Sequence, residues 1–523
     1  MESVILGFEI QTILLCVAGI AIVTWWLQKP KNLPPGPWGW PLVGYLPKLV
    51  VSLYRTGLHP HQLFAKMATQ YGPVFSMRIG GKVVVVLNKC HIIKQAFMNP
   101  RISDRPVNQT LEDLGLGEGL GFSSGEVWKQ QKRFTLTSLR SFGVGKRSFE
   151  VCIAEEAEYL TEEMTSLKHT LFDLSSLFTN ATSNIICSVV FGKRYGYSDS
   201  KFKYLINLFH ENGQLIGTGG VLLFFPIMKY LHISKYQRIR SNISNLIKFI
   251  NGFIKQRESS RDPDNPNDYI DVYFNEMESN QEVGRESHVN IQNMPVTVMN
   301  LFGAGTETSA TTLRWSVLYM MAYQDIQKRI QQEIDSVVGR HRLPRLSDKD
   351  KLPFTSAVLL EIQRIGSVAP LGISHSCGDD TTIEGYDIPK GSVVVSNLWA
   401  VHHDPDTWKN PDEFNPDRFL DQNGYLRERE ELIPFSTGRR ICIGEHLAKM
   451  ELYIFFTHLL HRFTFKKPDD SKPISFKGVT GLLHSPGPFL TQVVDRDSFD
   501  RFDVRGDGSL NQSETQCFHQ WFN

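Results

Sequence analysis

The segment Phe435-Ser-Thr-Gly438-Arg-Arg440-Ile-Cys442-Ile-Gly444 precedes a helical run that extends from Glu445 to about His461. Five of its residues, Phe435, Gly438, Arg440, Cys442 and Gly444, stand at offsets that recur by chance in on the order of one in ten thousand chains of this length. Such a spacing therefore calls for a physical reason. Two glycines allow the backbone to turn tightly and to approach a flat group. Cys442 comes just before a helix N-terminus, where free N–H groups and the helix dipole favour a thiolate.

A lone thiolate at such a turn is a good axial ligand for haem iron. The alternative is a buried structural cysteine, the usual fate of a free thiol, but burial does not require the four companion residues. The segment resembles the haem-binding loop of the cytochrome P-450 monooxygenases. This resemblance implies that Cys442 is the iron ligand and that Phe435, Gly438 and Gly444 shape the cofactor site. It also makes Arg440 the best partner for a haem propionate, because a guanidinium group suits a carboxylate.

Composition narrows the class of protein. The chain has 523 residues, of which 41% are hydrophobic and 21% charged, and its net charge is +1. This is the composition of an ordinary globular protein, without the basic excess of a nucleic-acid-binding protein. The seven cysteines are odd in number, scattered and without a CxxC pair, which argues against a disulfide framework and a zinc site.

The N-terminal part of the chain predicts a membrane anchor over residues 1–28. Ile10 to Leu27 form an uncharged, mostly apolar run, long enough as a helix to approach the thickness of a bilayer core. Lysines follow the run, which predicts a cytoplasmic catalytic domain, and the resemblance to microsomal members of the family implies that the membrane is that of the endoplasmic reticulum. A cleaved signal peptide is the alternative, disfavoured by the acidic start and by two bulky tryptophans at the end of the run. Residues 29–37 include successive prolines and predict a stiff hinge.

Hydrophobic patterning predicts a mainly α fold with a minor antiparallel β sheet, as the cytochrome P-450 resemblance also implies, for a catalytic domain over residues 38–492. Val74 to Leu87 indicates two strands around Gly80-Gly81, and Thr381 to Ser396 a second strand pair. Ile326, Ile330, Ile334 and Val337 mark one helix face, with Gly339 as its stop. The polar stretch 261–268 indicates a surface loop between helices.

Three further segments match the family's motifs in order. Trp128 and Lys132 lie four residues apart, hence on one helix face, where the family binds a haem propionate. The usual residue there is Arg, and Lys132 keeps the charge without the bidentate fork. The resemblance gives the same role to His375 and to Arg105. An exposed amphipathic helix is the alternative for the Trp128 segment.

Glu307 and Thr308 interrupt a long apolar helical run that starts near Met294. Gly303 and Gly305 each weaken a helix by about 1 kcal/mol relative to Ala, which suggests that space is needed there, as for bound dioxygen. The acid and the alcohol could deliver protons through water, and they resemble the family's oxygen-activation segment. The alternative is a threonine bonded to its own helix backbone.

Glu361 and Arg364 stand three residues apart, and Arg418 follows in the segment Pro416-Asp-Arg418-Phe419. As an isolated helix pair the first two would contribute only a few tenths of a kcal/mol. The resemblance joins all three residues in a structural triad that holds the core around the haem loop.

Residues 493–523 continue past the end that is usual in the family. Asp503 to Glu514 resembles an EF-hand loop, but Arg505 replaces a ligand at its third position. A solvated polar tail is the favoured interpretation of this extension.

The sequence therefore predicts a membrane-anchored haem-thiolate monooxygenase, most similar to the animal microsomal clan-2 enzymes, that acts on a fatty acid, a steroid or a xenobiotic. No GxGxxG nucleotide motif is present in the chain, so electrons should come from an NADPH-dependent flavoprotein reductase, with cytochrome b5 as a further donor. Lys129, Arg133 and Arg439 are a plausible docking surface. The alternatives are a reductase-independent lipid peroxide isomerase or dehydratase of the same fold, and a non-catalytic haem- or lipid-binding sensor.

Overall fold

The computed structural model describes residues 12–20, 23–24, 30–144, 147–168, 170–218, 234–469 and 472–496. They divide into two compact units. The first comprises residues up to 107 together with 371–401 and 437–439, and the second comprises 108–370, 402–436 and the residues from 440 onward.

The fold is mainly helical, as predicted. Their bounds are α1 Leu46–Thr56, α2 Pro60–Tyr71, α3 Cys90–Met98, α4 Gln109–Asp113, α5 Gly125–Ser141, α6 Arg147–Ser166, α7 Ser175–Phe191, α8 Ser200–Thr218, α9 Ser234–Ser260, α10 Tyr269–Glu282, α11 Met294–Ala322, α12 Gln324–Val337, α13 Pro353–Gly366, α14 Leu398–His402 and α15 Glu445–Arg462. Short 3-10 turns occur at Pro100–Ile102, Leu346–Lys351, Pro416–Phe419 and Gly438–Arg440.

Strands are short and form small sheets. Their bounds are β1 Val74–Ile79, β2 Lys82–Leu87, β3 His375–Ser376, β4 Thr381–Ile383, β5 Tyr386–Ile388, β6 Val393–Ser396, β7 Phe463–Lys466, β8 Gly478–Thr480, β9 His484–Pro486 and β10 Gln492–Asp495. In the first unit the main sheet has the order β1-β2-β6-β3, and β4 pairs with β5. In the second unit β7 pairs with β10 and β8 with β9.

The predicted hairpin of Val74 to Leu87 is confirmed, with Ile79 opposite Lys82 across the turn. The prediction of a minor antiparallel sheet is wrong in one pairing, because β6 pairs with β2 in parallel. A parallel pair needs a long crossover connection, and the two strands are separated by most of the second unit. The segment 381–396 therefore supplies one local strand pair and a third strand that joins the main sheet.

The helix α12 follows its predicted pattern: Ile330 and Ile334 are fully buried, and Gly339 just beyond has a φ of +77° that favours glycine. Residues 261–268 form the predicted loop, and Asp268 ends it as a helix cap by accepting a hydrogen bond from the Asp271 amide.

Glutamine side chains of α12 bond to the backbone of β7. Gln324 and Gln327 each donate to the Phe465 carbonyl, at 2.9 and 3.1 Å, and the Phe465 amide donates back to Gln327 at 2.8 Å. Gln331 donates to the Phe463 carbonyl at 3.0 Å. The helix thus provides hydrogen-bond partners for the backbone groups on the edge of β7 that faces away from β10.

Several predictions fall wholly or partly outside the described residues. No helix among the described residues has the length and apolar composition needed to cross a bilayer, and the predicted anchor of residues 1–28 is described only over 12–20 and 23–24. The EF-hand-like stretch from Asp503 lies outside the described residues altogether. The anchor and the extension therefore stay predictions.

Candidate active site

The loop that carries Cys442 is closed by a backbone hydrogen bond of 3.0 Å from the Cys442 amide to the Phe435 carbonyl. Gly444 is the N-cap residue of α15, so the sulfur lies at a helix N-terminus, as predicted. Gly438 has a φ of +75°, and a Cβ atom there would meet the Phe97 carbonyl oxygen at 2.3 Å within the first unit. This glycine is therefore required by both conformation and space.

The Cys442 side chain is accessible, yet the protein around it raises the pKa of the thiol by desolvation. The Gly444 amide opposes this shift by donating to the sulfur, whereas Glu445 adds to it. A bound metal cation deprotonates a coordinating thiol outright. The Cys442 sulfur is accessible, lies at a helix N-terminus and accepts a hydrogen bond from one backbone N–H. These properties fit a thiolate ligand of haem iron.

Arg440, Trp128 and Lys132 meet in the second unit. The Arg440 guanidinium lies over the Trp128 ring at 3.8 Å and donates to the Ser123 carbonyl at 2.6 Å. The Lys132 ammonium lies 5.2 Å from the centre of the same ring. Two cations beside one indole form a positive group that fits the carboxylates of haem. The structure thus brings together these three predicted residues, and Arg133, by contrast, is exposed.

Arg105 and His375 lie close together in the first unit. Arg105 donates to the carbonyls of Ile373 and Ser374 at 2.9 and 3.0 Å, and burial lowers its pKa to about 10, so that it stays charged at neutral pH. His375 is buried, stacks on Phe97 at 3.7 Å, and places Nδ1 2.8 Å from the Ile102 carbonyl. Because Nδ1 donates there, the neutral ring has an acceptor at Nε2. His375 would therefore donate to a propionate through Nε2 only when protonated.

The acid and the alcohol lie in α11. The Thr308 hydroxyl donates to the Ala304 carbonyl at 2.8 Å, the backbone bond that was the alternative from sequence, and its oxygen keeps lone pairs that can accept. Glu307 places Oε1 3.6 Å from Nδ1 of His210 on α8.

The interpretation of Gly305 as room for dioxygen is wrong. A Cβ atom at Gly305 would meet the Ile186 side chain on α7 at 2.3 Å, and one at Gly303 would meet Phe209 at 3.2 Å. Both glycines let neighbouring side chains pack closely against α11.

Glu361, Arg364 and Arg418 form the predicted triad. Arg364 donates to both Glu361 carboxylate oxygens, at 2.7 and 2.8 Å, and Arg418 donates to Oε1 at 3.1 Å. Arg364 also donates to the His402 carbonyl at 2.7 Å. Glu361 and Arg364 are fully buried, so the triad is a structural brace.

Sequence reasoning missed a buried pair beside the acid and alcohol. The Ser309 hydroxyl donates to Glu451 Oε2 at 2.7 Å, and Glu451 Oε1 has no hydrogen-bond partner among the described residues. Burial raises the pKa of Glu451 to about 8, although the bond from Ser309 opposes the shift, so this carboxyl is largely protonated at neutral pH. The sequence feature that could have revealed this pair is Glu451 itself, an acidic residue within the apolar part of α15.

The amino-acid sequence of this chain is similar to one protein family and to several characterised proteins. The family model described as Cytochrome P-450 matches residues 34–493. Human cytochrome P-450 2J2 is 41% identical over 464 residues, which cover 88% of this chain and 90% of the relative. Mouse cytochrome P-450 2J5 is 40% identical and covers 90% and 92% of the two chains. Human cytochrome P-450 2U1 is 37% identical and covers 91% and 92%.

Proposed function

The chain belongs to the cytochrome P-450 family, whose members are haem-thiolate monooxygenases, and from this we propose that it inserts one oxygen atom from dioxygen into a lipophilic substrate with electrons derived from NADPH. The substrate class is a fatty acid, a steroid or a xenobiotic. The observation that carries the proposal is the accessible Cys442 sulfur held at the N-terminus of α15.

Haem, when bound, supplies the iron centre at which dioxygen is reduced and one oxygen atom is transferred. Cys442 would bind the iron through its sulfur. Arg440, Lys132 and Trp128 would receive propionate charge in the second unit, and Arg105 and His375 would do so in the first. Arg105 stays charged at neutral pH although burial lowers its pKa to about 10, whereas His375 would donate to a propionate through Nε2 only when its ring is protonated.

Glu307 and Thr308 would move protons to the reacting oxygen through water. Glu307 is an acid that can take up and give back a proton, and the Thr308 oxygen can accept one hydrogen bond while its own proton is held by Ala304. Thr308 would therefore position water beside the reacting oxygen, with Glu307 as the proton source.

Electrons would arrive from a flavoprotein reductase, with cytochrome b5 as a second donor. Lys129 and Arg133 are exposed on α5 and offer positive charge to an acidic partner. Residues 1–28 would anchor the catalytic domain of residues 38–492 in the endoplasmic reticulum membrane, with residues 29–37 as hinge and the domain in the cytoplasm. A lipophilic substrate would then be concentrated in the same membrane.

The first experiment is the absorption difference spectrum of the reduced protein with and without carbon monoxide. We expect a strongly red-shifted Soret band, which Cys442→Ser abolishes. Cys377→Ser is the matched control, because Cys377 is buried away from solvent and should leave the band unchanged. A band at the position typical of histidine-ligated haem would refute the assignment of Cys442.

Turnover distinguishes the alternatives. With reductase and NADPH, a monooxygenase consumes dioxygen and forms product. A lipid peroxide isomerase converts a fatty acid hydroperoxide without NADPH, and a sensor binds haem without either reaction. Product formation that is independent of NADPH would overturn the proposal.

A further inference from the structure

We propose that His210 is a positioning residue that holds Glu307 and hands it protons from solvent, an inference that rests on the proposed monooxygenase function. In this arrangement Glu307 is the inner member and His210 the solvent-side member of one proton path. The reasoning starts from the packing of α8 on α11.

Two aromatic rings fix where α8 meets α11. Phe209 stacks on Phe302 with ring centroids 4.8 Å apart, and Gly303 lacks the side chain that would press against Phe209. His210 follows Phe209 directly, and Glu307 stands little more than one helical turn beyond Phe302. The rings therefore hold the imidazole beside the carboxylate, with 3.6 Å between His210 Nδ1 and Glu307 Oε1.

The ring orientation suits proton transfer. The Gln214 side-chain amide lies 2.9 Å from His210 Nε2: its N–H donates to the neutral ring, which then carries its hydrogen on Nδ1, and its oxygen, after the amide turns over, accepts from Nε2–H of the imidazolium, which carries hydrogen on both nitrogens. That hydrogen faces Glu307. The distance is longer than a hydrogen bond, and a shift of about half an ångström would close it.

Exposure differs between the two partners. The His210 side chain is 56% exposed, whereas that of Glu307 is 28% exposed. Glu307 Oε1 itself is buried, without a hydrogen-bond partner among the described residues. Water therefore reaches the imidazole more readily than Glu307 Oε1, and His210 Nδ1 is the polar side-chain atom that the structure places 3.6 Å from this oxygen.

The charges around the pair favour a protonated imidazole. Glu307 raises the pKa of His210, and desolvation and the Arg314 guanidinium on α11 oppose the shift. Arg314 in turn faces Asp173. Glu211, the next residue of α8, binds Arg238 of α9 at 2.7 and 3.1 Å instead. Glu307 thus has two cationic neighbours, Arg314 and His210, of which only the histidine can release a proton near neutral pH.

The proton step is balanced without any redox change. The Nδ1–H bond of the imidazolium breaks and an O–H bond forms on Glu307 Oε1, which leaves a neutral acid and a neutral imidazole whose remaining hydrogen is on Nε2, where the turned Gln214 amide accepts it through its oxygen. Solvent reprotonates the imidazole, and Glu307 passes its proton inward through water. As pH rises through the pKa of His210, the imidazolium is lost and the supply of protons falls.

The first test compares product formed per NADPH consumed. His210→Gln should lower this ratio about tenfold, less than the full effect of a general acid because water partly replaces the imidazole. The ratio in the wild-type enzyme should fall as pH rises, and the variant should lose this dependence. The double variant with Glu307→Gln should be no worse than Glu307→Gln alone. His341→Gln, in an exposed loop, is the matched control.

The second test does not depend on turnover. Hydrogen exchange at the C2 position of individual histidines, followed by mass spectrometry, gives the pKa of His210 in the full chain with haem. Glu307→Gln should lower that pKa, and the exchange of His341 should stay the same in both proteins.

The outcomes separate this inference from the proposed function. An unchanged product ratio in His210→Gln protein that keeps the carbon monoxide band would overturn the role of His210 alone. An unchanged His210 titration in Glu307→Gln would do the same. A wild-type protein without the band or without NADPH-dependent product would instead overturn the monooxygenase proposal and, with it, the proton path.

Discussion

Replacing Glu361 with glutamine should lower the free energy of unfolding by about 4 kcal/mol, because two arginines then lose their compensating charge. Oε1 accepts hydrogen bonds from Arg364, Arg418 and the Asn415 amide, and Oε2 accepts one from Arg364 Nε at 2.7 Å. The carboxylate is fully buried, so water cannot take its place.

The magnitude follows from this geometry. A glutamine can keep its oxygen at the Oε1 position, but its NH2 group then faces Arg364 Nε, donor against donor. The lost charged hydrogen bond costs about 1.5–3 kcal/mol, and removing one member of a buried ion pair costs about 3–5 kcal/mol. These two costs describe largely the same loss and do not add, so the expected value of about 4 kcal/mol is the middle of the range for breaking a buried ion pair.

Urea unfolding followed by far-ultraviolet circular dichroism measures the change, with equal slopes required in the compared proteins. Asp417→Asn is the matched control, because Asp417 stands beside Arg418 and pairs with Arg329 at 3.0 Å in an exposed position. An exposed ion pair contributes less than about 1 kcal/mol. If Glu361→Gln costs no more than Asp417→Asn, the argument from buried charge is refuted.

Three further predictions concern α11 and its neighbours. Gly305→Ala should lower the free energy of unfolding by about 1 kcal/mol, because overpacking against Ile186 costs about 1–3 kcal/mol whereas alanine stabilises the helix by about 1 kcal/mol relative to glycine. Urea unfolding measures this change, and a variant more stable than the wild type would contradict the close packing at Gly305. Glu451 keeps its proton in the folded chain up to about pH 8, whereas the unfolded chain loses it earlier. The free energy of unfolding should therefore fall as pH rises toward 8, and in Glu451→Gln the urea midpoint should depend less on pH. The same pH dependence in the variant and the wild type would contradict a raised pKa of Glu451. Thr308→Ala should lower product per NADPH by wasting reduced dioxygen, and unchanged coupling would remove the hydroxyl from the proton path.

Local sequence patterns predicted the parts of the site that a few adjacent residues build. The glycines around Cys442 and the spacing of Glu361 and Arg364 express short-range geometry, and the structure has both as expected. The sharing of a helix face by Trp128 and Lys132 follows from the same helical period.

Contacts between segments that are distant in the sequence could not be predicted from it. Ser309 and Glu451 stand 142 positions apart, and no local period places one against the other. The same holds for His210 with Glu307. Gly305 was misread because a helix glycine signals close approach without saying whether a ligand or another side chain, here Ile186, makes it. The parallel pairing of β6 with β2 likewise depends on the path of the intervening chain.

The hydrogen bonds from the glutamine side chains of α12 to the backbone of β7 have a consequence beyond the stability of one sheet. An edge strand with unsatisfied amides and carbonyls is a template on which a second molecule can add a strand. Gln324, Gln327 and Gln331 occupy those backbone groups at Phe463 and Phe465 from within the same chain. The occupied groups belong to residues that are almost fully buried, Phe463 and Phe465, so this edge of β7 leaves no free carbonyl at either residue with which a strand of a second molecule could pair.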